Sequence, residues 1–167
     1  MCKKIGLVFL IVVVILLLDQ ATKALIVTHM SLYQSEPVVA SFFHLTYVRN
    51  TGAAFGFLAQ TPAWFRQPFF LVVTGVAVFA LGVFLRNADE TDRMTNIAVA
   101  TILGGALGNL IDRIQAGSVI DFIDLHWHGY HWPAFNVADT CITLGVIGLL
   151  WASFRNQRII PSDETIP

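Results

Sequence analysis

The stretch IGLVFLIVVVILLLDQATK, residues 5–23, opens with fourteen residues that carry no charge and that end at Leu18. A helix through this stretch can continue past Asp19 and Lys23 to about Thr28. At about 1.5 Å per residue, a helix of that length crosses a hydrocarbon core about 30 Å thick. The sequence therefore predicts a first membrane-spanning helix over residues 5–28, with charged residues near one end.

Three further stretches have the length and composition of membrane spans, and they predict helices at residues 69–85, 94–111 and 135–154. The chain has 167 residues, of which 56% are hydrophobic and 13% are charged, whereas soluble domains carry about 25% charged residues. No internal repeat and no low-complexity linker divides it. We predict an all-α polytopic membrane protein with a single domain over residues 1–167.

Charge and cysteine content exclude several classes of function. The net charge is −1, which gives no basic surface for nucleic acid. Cys2 and Cys141 are too few for a disulfide framework or a cysteine metal site. Lys3 and Lys4 before an apolar run also resemble a signal peptide, but no small-residue cleavage site follows that run, and no lipobox precedes Cys2. We therefore expect the first helix to be retained.

Basic residues in the short flanks of the helices predict the orientation in the membrane. With the N-terminus inside, six basic residues are cytoplasmic and four are outside; the inner set is Lys3, Lys4, Arg86, Arg93, Arg155 and Arg158, and the outer set is Lys23, Arg49, Arg66 and Arg113. This excess favours cytoplasmic termini. The connections at about residues 29–68 and 113–134 are then outside.

This topology brings three carboxylates to one depth of the membrane, near the outer side. Asp19 lies fourteen residues beyond Ile5, Asp112 ends the third helix, and Asp139 begins the fourth. Carboxylates within spans are costly, so they indicate a functional site or a paired structural group that faces the bundle interior. The spacings Asn109 to Asp112 and Asn136 to Asp139 place each pair on one helix face.

The outer connections contain two further patterns. Residues 38–50, VVASFFHLTYVRN, are rich in β-branched and aromatic residues, and the TGAAFG that follows supplies glycine for a turn. They predict a small extramembrane β element on the outer side. The histidines of HWHGYH, residues 126–131, lack the helical spacing of a zinc motif, so we predict no metal site there.

These patterns alone leave several functions open. A serine/lysine signal peptidase could use Lys23, a lipid-binding protein would need no catalytic aspartates, and a transporter could use intramembrane carboxylates. Asp112 and Arg113 could also simply cap the third helix and meet interfacial water. Ala100, Gly104 and Gly108 recur every four residues, which indicates close helix packing.

Five motifs in chain order resemble the lipoprotein signal peptidases, also called signal peptidase II: LLDQATK at 17–23, VRNTGAAFG at 48–56, GGALGNLIDR at 104–113, VIDFID at 119–124 and FNVADTCITLG at 135–145. The resemblance implies a four-helix aspartyl protease of the bacterial inner membrane. Such an enzyme removes the signal peptide of diacylglyceryl-modified prolipoproteins and cuts before the lipidated cysteine. It implies no cofactor, with membrane lipid and the prolipoprotein as partners, and we expect a monomer.

The resemblance also assigns roles to residues. It places the catalytic aspartates at Asp121 and Asp139. Supporting or substrate-binding roles fall on Asp19, Asn50, Gly52, Gly105, Asn109, Asp112, Arg113 and Asn136. Thr140 and Cys141 stand where many members have serine and alanine. Asp124 remains a rival to Asp121, because residues three apart share a face on a helix but not on a strand.

Overall fold

The computed structural model describes residues 2–53 and 56–157. Four long helices lie within these residues: α1 (Cys2–His29), α2 (Ala63–Asn87), α3 (Arg93–Ala116) and α4 (Val137–Gln157). All four are long and apolar enough to cross a membrane. The prediction of a four-helix polytopic membrane protein with a small β element is confirmed. Arg158, which was counted in the predicted orientation, lies outside the described residues.

Several helix ends differ from those predicted. Helix α2 begins at Ala63, not at residue 69, and it contains Pro68, which removes one backbone donor without ending the helix. Helix α3 continues past residue 111 to Ala116 and ends because Gly117 adopts a left-handed conformation with φ 68°. Helix α4 begins at Val137, not at residue 135, because Phe135 pairs with β-structure. The predicted connections at 29–68 and 113–134 therefore include helical residues.

Helix α3 is the centre of the bundle. Buried residues make up 61% of its span and at most 17% of any other span. Glycines allow this close packing: a Cβ at Gly104 would lie 2.9 Å from the Ile15 side chain, and a Cβ at Gly105 would overlap the carbonyl oxygen of Ala138. Helix α3 therefore approaches α1 on one side and α4 on the other at distances that a larger residue would prevent.

A four-stranded antiparallel sheet covers the end of the bundle where α1 and α3 end and α4 begins. Its strands are β1 (Ser35–Val39), β2 (Phe43–Asn50), β3 (Val119–Trp127) and β4 (Tyr130–His131), in that order across the sheet. Ile26 of α1 packs against Tyr47 of β2 and Phe122 of β3. The sheet is thus fixed to the bundle, and β3 runs directly beside the end of α3.

Candidate active site

Two carboxylates from different elements line one cavity of about 1060 Å³. Asp121 lies near the start of β3 and is buried, whereas Asp139 lies in the first turn of α4 and is half-buried. The β-bridge between Ile123 and Phe135 brings the chain back from β3 to the start of α4. A second cavity of about 760 Å³, lined by Arg93 and Arg155 among others, lies at the opposite end and contains neither carboxylate.

Three asparagines hold the two carboxylates. Asn136 Nδ2 donates to Asp121 Oδ1 at 2.7 Å, and Asn50 Nδ2 donates to Asp121 Oδ2 at 3.0 Å. Asn109 Nδ2 donates to Asp139 Oδ1 at 2.7 Å, while the backbone N–H of Asn136 donates to Asp139 Oδ2 at 3.3 Å. Asn136 therefore contacts both carboxyl groups and fixes β3 relative to α4.

The environment of Asp121 favours its protonated form. Burial is the main cause, and the neighbouring carboxylate of Asp139 adds to it; together they raise the pKa of Asp121 to about 7. The hydrogen bonds from Asn50 and Asn136 oppose this shift because they stabilise the charged form. A carboxyl group with such a pKa exchanges a proton readily near neutral pH.

Behind the carboxylates lies a buried ionic network around Lys23. Its ammonium group bonds to Asp19 Oδ2 at 2.8 Å, to Asp112 Oδ2 at 2.9 Å and to Asn109 Oδ1 at 2.9 Å. All three of its protons are thereby used. Gln20 Nε2 donates to Asp19 Oδ2 at 3.1 Å and to Asp112 Oδ1 at 3.0 Å. The network joins α1 to α3.

This network also holds the backbone beside each cavity carboxylate. Asp112 Oδ2 accepts the backbone N–H of Ile120 at 3.1 Å, and Ile120 precedes Asp121. Asp19 Oδ1 accepts the backbone N–H of Ala138 at 3.0 Å, and Ala138 precedes Asp139. The two buried aspartates therefore position β3 and α4 by equivalent contacts.

Lys23 and Gln20 were not predicted as supporting residues. The available signal was the Asp19–Lys23 spacing of four residues, which places opposite charges on one face of an otherwise apolar helix. Because Lys23 is buried and bonded to Asp19, Asp112 and Asn109, it does not have the free amine that a serine/lysine peptidase would require.

Arg113 faces the cavity, and its Nη1 donates to the backbone carbonyl of Asn109 at 3.5 Å. Its guanidinium group stacks 4.9 Å from the centre of the Phe70 ring and donates to the Gly52 carbonyl at 3.4 Å. The Gly52 N–H donates to Asn50 Oδ1 at 3.0 Å, and a Cβ at Gly52 would overlap the Phe57 carbonyl. This glycine therefore folds the segment after β2 over the site. Ala54 and Phe55 of the same TGAAFG segment lie outside the described residues.

Asp124 is directed away from the two cavity carboxylates. It lies on a strand, where residues three apart point to opposite faces, and it bonds to His131 Nδ1 at 2.9 Å. It does not line the cavity that contains Asp121 and Asp139.

Comparisons with known proteins show which family and which fold the chain resembles. The family model described as Signal peptidase (SPase) II matches residues 11–155. The chain is 51% identical to the lipoprotein signal peptidase of Syntrophotalea carbinolica over 88% of this chain and 90% of that protein. It is 50% identical to that of Geobacter sulfurreducens, over 86% and 88% respectively. The fold matches a bacterial membrane enzyme solved by the in meso method at 2.3 Å resolution, with a TM-score of 0.84, 36% identity and coverage of 97% of this chain and 96% of that one.

The predicted resemblance is therefore confirmed: the chain belongs to the lipoprotein signal peptidases, the signal peptidase II family of bacterial membrane proteases, which remove signal peptides from prolipoproteins.

Proposed function

We propose that the chain is an aspartyl endopeptidase in which Asp121 and Asp139 form the catalytic pair, and that it cuts diacylglyceryl-modified prolipoproteins just before the lipidated cysteine. The observation that carries the proposal is that these two carboxylates line one cavity. One of them has a pKa near 7, and asparagine side chains hold both. The shift arises partly from the charge of the other carboxylate, so the two groups titrate as a pair.

The reaction needs one proton acceptor and one proton donor. Two neighbouring carboxylates supply both, because they do not ionise together easily and share one proton. The ionised group takes a proton from water as the water oxygen attacks the scissile carbonyl carbon, and the protonated group gives its proton to the carbonyl oxygen. When the tetrahedral intermediate collapses, the ionised carboxylate takes a proton from one hydroxyl group of the intermediate, the C–N bond breaks, and the protonated carboxyl group gives its proton to the amine nitrogen, so the pair again holds one proton.

The remaining supporting residues act on geometry in this mechanism. Asn50, Asn109 and Asn136 orient the carboxyl oxygens, and the Lys23 network holds the adjacent backbone. Asn50, Asn109 and Asn136 belong to the same chain as the two carboxylates that they hold, which supports a monomer as the functional unit. The mechanism uses carboxylates and water only, so it requires no metal ion.

The shape of the cavity supports an acylated substrate. From the carboxylates it extends between α2 and α4, where apolar side chains line it, among them Val73, Ala77, Leu81, Ile142 and Leu144. Acyl chains and an apolar signal peptide fit such a surface in the membrane, and anchoring in the bilayer would hold the scissile bond beside the aspartates. Membrane lipid is accordingly the natural second partner.

The charge distribution supports cytoplasmic termini, and therefore an active site near the outer leaflet. Lys4, Arg86, Arg93 and Arg155 lie at the end of the bundle away from the sheet. At the other end Lys23 belongs to the buried network, so it does not count as an orienting charge.

The test is cleavage by the purified protein of a prolipoprotein with and without the diacylglyceryl group. We expect cleavage of the modified form only, undiminished by EDTA.

Asp121→Asn and Asp139→Asn should each abolish cleavage, since asparagine keeps the shape of aspartate but cannot exchange the proton. Asp124→Asn is the matched control and should retain activity. A dead Asp124 variant beside an active Asp121 variant would show that the pair is assigned wrongly. A loss of cleavage with EDTA that zinc restores would show that cleavage depends on a metal ion and would contradict the metal-independent mechanism.

A further inference from the structure

Three histidines and one aspartate meet on one face of the sheet, apart from the catalytic cavity. His44 of β2 is paired with Asp124 of β3, and His126 of β3 is paired with His131 of β4. Asp124 and His126 are two residues apart on the same strand, so they share a face, and paired residues on neighbouring strands share it too. Four side chains from three adjacent strands therefore converge.

The distances within this cluster are short. Ligand atoms of His44, Asp124 and His126 all lie within 4.8 Å of one another. His131 Nδ1 lies 2.9 Å from Asp124 Oδ1. The His126 ring lies 4.3 Å from the His44 ring and 4.8 Å from the His131 ring, measured between centroids. Neighbouring ligands of a tetrahedral zinc ion are about 3.4 Å apart, so His44, Asp124 and His126 need to close by about 1.4 Å or less to hold an ion. The His131 ring is stacked on the His126 ring and has to turn to supply a further ligand.

His126 contains a polar atom without a partner. Its Nδ1 is buried and makes no hydrogen bond to any residue among 2–53 and 56–157. A buried ring nitrogen in this condition costs free energy, and coordination of a metal ion would remove that cost. Around the cluster, Ser35 Oγ lies 3.4 Å from His44 Nδ1, in a position to orient that ring as the outer groups of metal sites do.

From this arrangement we propose that His44, Asp124, His126 and His131 form a binding site for a divalent transition metal of the zinc class. Imidazole nitrogens with one carboxylate oxygen suit zinc better than magnesium or calcium, which prefer oxygen ligands. The sequence predicts no metal site, because a zinc motif is absent from the HWHGYH segment. The ligands His44 and Asp124 come from outside it, through strand pairing.

The ion has a structural role, separate from catalysis. Asp121 and Asp124 are three residues apart on β3, which separates them by about 10 Å along the strand, on opposite faces. An ion bound by β2, β3 and β4 clamps the three strands together, and β3 carries Asp121. Because metal binds the folded sheet, it also raises the stability of the protein.

The test is zinc binding by the purified protein in detergent, prepared without a polyhistidine tag, with Zn²⁺ measured in competition with a chromogenic chelator. We expect one ion per chain and a higher melting temperature with zinc. His126→Gln should weaken binding by at least about tenfold and remove the thermal shift. His29→Gln is the matched control, since His29 is an exposed histidine of α1 whose ring bonds to Thr28 and Leu25. It should bind zinc like the parent.

The cleavage assay shows whether each variant is folded and keeps this test separate from that of the peptidase. The His126→Gln protein should cleave modified prolipoprotein at the rate of the parent protein after both are treated with EDTA. The proposal is overturned if the parent shows no saturable binding, or if a His126→Gln protein that cleaves normally binds zinc as tightly as the parent.

Discussion

Lys23 carries a positive charge into a part of the bundle where only 2% of its side chain is exposed. It is tolerated there because two carboxylates and an amide oxygen use all its protons. Removing one member of such a network leaves buried charge uncompensated, which typically costs about 3 to 5 kcal/mol. The stability of the bundle and the positions of the two cavity carboxylates therefore depend on the same side chain.

We therefore expect Lys23→Met to lower the melting temperature of the purified protein strongly and to reduce cleavage, because Asp19 and Asp112 lose their shared cation. The double variant Lys23→Met with Asp112→Asn removes one of the stranded charges and should recover part of the stability. Thermal unfolding in detergent measures both. If the single variant melts like the parent, Lys23 does not hold the network together.

The catalytic role proposed for Asp121 makes the reaction dependent on pH. With the pKa of this carboxyl raised to about 7, the pair loses its shared proton as the pH rises through that value, and no general acid remains. We expect kcat/KM to fall above pH 7, and Asp124→Asn to leave this limb of the profile in place. A rate that stays constant to pH 9 would contradict the role of the pair.

The raised pKa of Asp121 also makes the stability of the folded protein depend on pH. This dependence has the opposite sign to that caused by an ordinary salt-bridged aspartate. The folded protein keeps a proton on Asp121 between about pH 4 and pH 7, whereas the unfolded chain has lost it. The contribution of this group to stability is thus present at low pH and is lost as the pH rises through about 7. The Asp121→Asn protein should therefore melt above the parent at pH 8, and the difference should shrink toward pH 5.

At the scale of the elements, the contact between α3 and α4 fixes the distance across the site. Asn109 of α3 reaches Asp139 of α4 at 2.7 Å. This reach depends on Gly105, where any side chain would meet the carbonyl oxygen of Ala138. A Cβ at Gly108 would likewise lie 2.5 Å from Asp19 Oδ2. The small residues of α3 are thus part of the active-site geometry as well as of helix packing.

Gly105→Ala should separate α3 from α4, lengthen the bond from Asn109 to Asp139 and reduce both cleavage and melting temperature. Gly75→Ala on α2 is the matched control, because nothing lies within 4 Å of the position of its Cβ, and it should behave like the parent. Measuring kcat and melting temperature for both variants tests this. Equal values for the two would show that the close approach at Gly105 is unimportant.

The elements also show what the sequence could predict. Long apolar stretches are a local signal, so the four spans were predictable, but the start of α2 was not, because the helix also includes Arg66, Gln67 and Pro68 ahead of the apolar stretch. Residue spacing placed Asp139 near one end of the bundle, whereas Asp121 was selected by motif resemblance. The Asp19–Lys23 spacing is a local signal for an ion pair, but the contact of Lys23 with Asn109, which is 86 residues away, leaves no trace in local spacing.

At the scale of the whole molecule, polarity is segregated along the axis of the bundle. The sheet, the two cavity carboxylates and the Lys23 network occupy one end. The other end holds the turn between α2 and α3, with Asp89, and the first residue of α3, Arg93. If the termini are cytoplasmic, the sheet end faces the outer leaflet, where an acylated prolipoprotein would reach the aspartates directly from the bilayer.

Single cysteines test that orientation. They are introduced into a Cys2→Ser, Cys141→Ala protein that still cleaves modified prolipoprotein. The two variants are Gln60→Cys and Glu90→Cys. Gln60 lies in the exposed segment before α2, and Glu90 lies in the exposed turn between α2 and α3. In intact spheroplasts, a membrane-impermeant maleimide should label the cysteine at position 60 and should reach position 90 only after permeabilisation. Both variants should still cleave modified prolipoprotein, which shows that they are correctly inserted. Labelling of position 90 alone in intact spheroplasts would show the reverse topology, with the aspartates at the cytoplasmic face. The positive-inside distribution of lysine and arginine would then not account for the orientation.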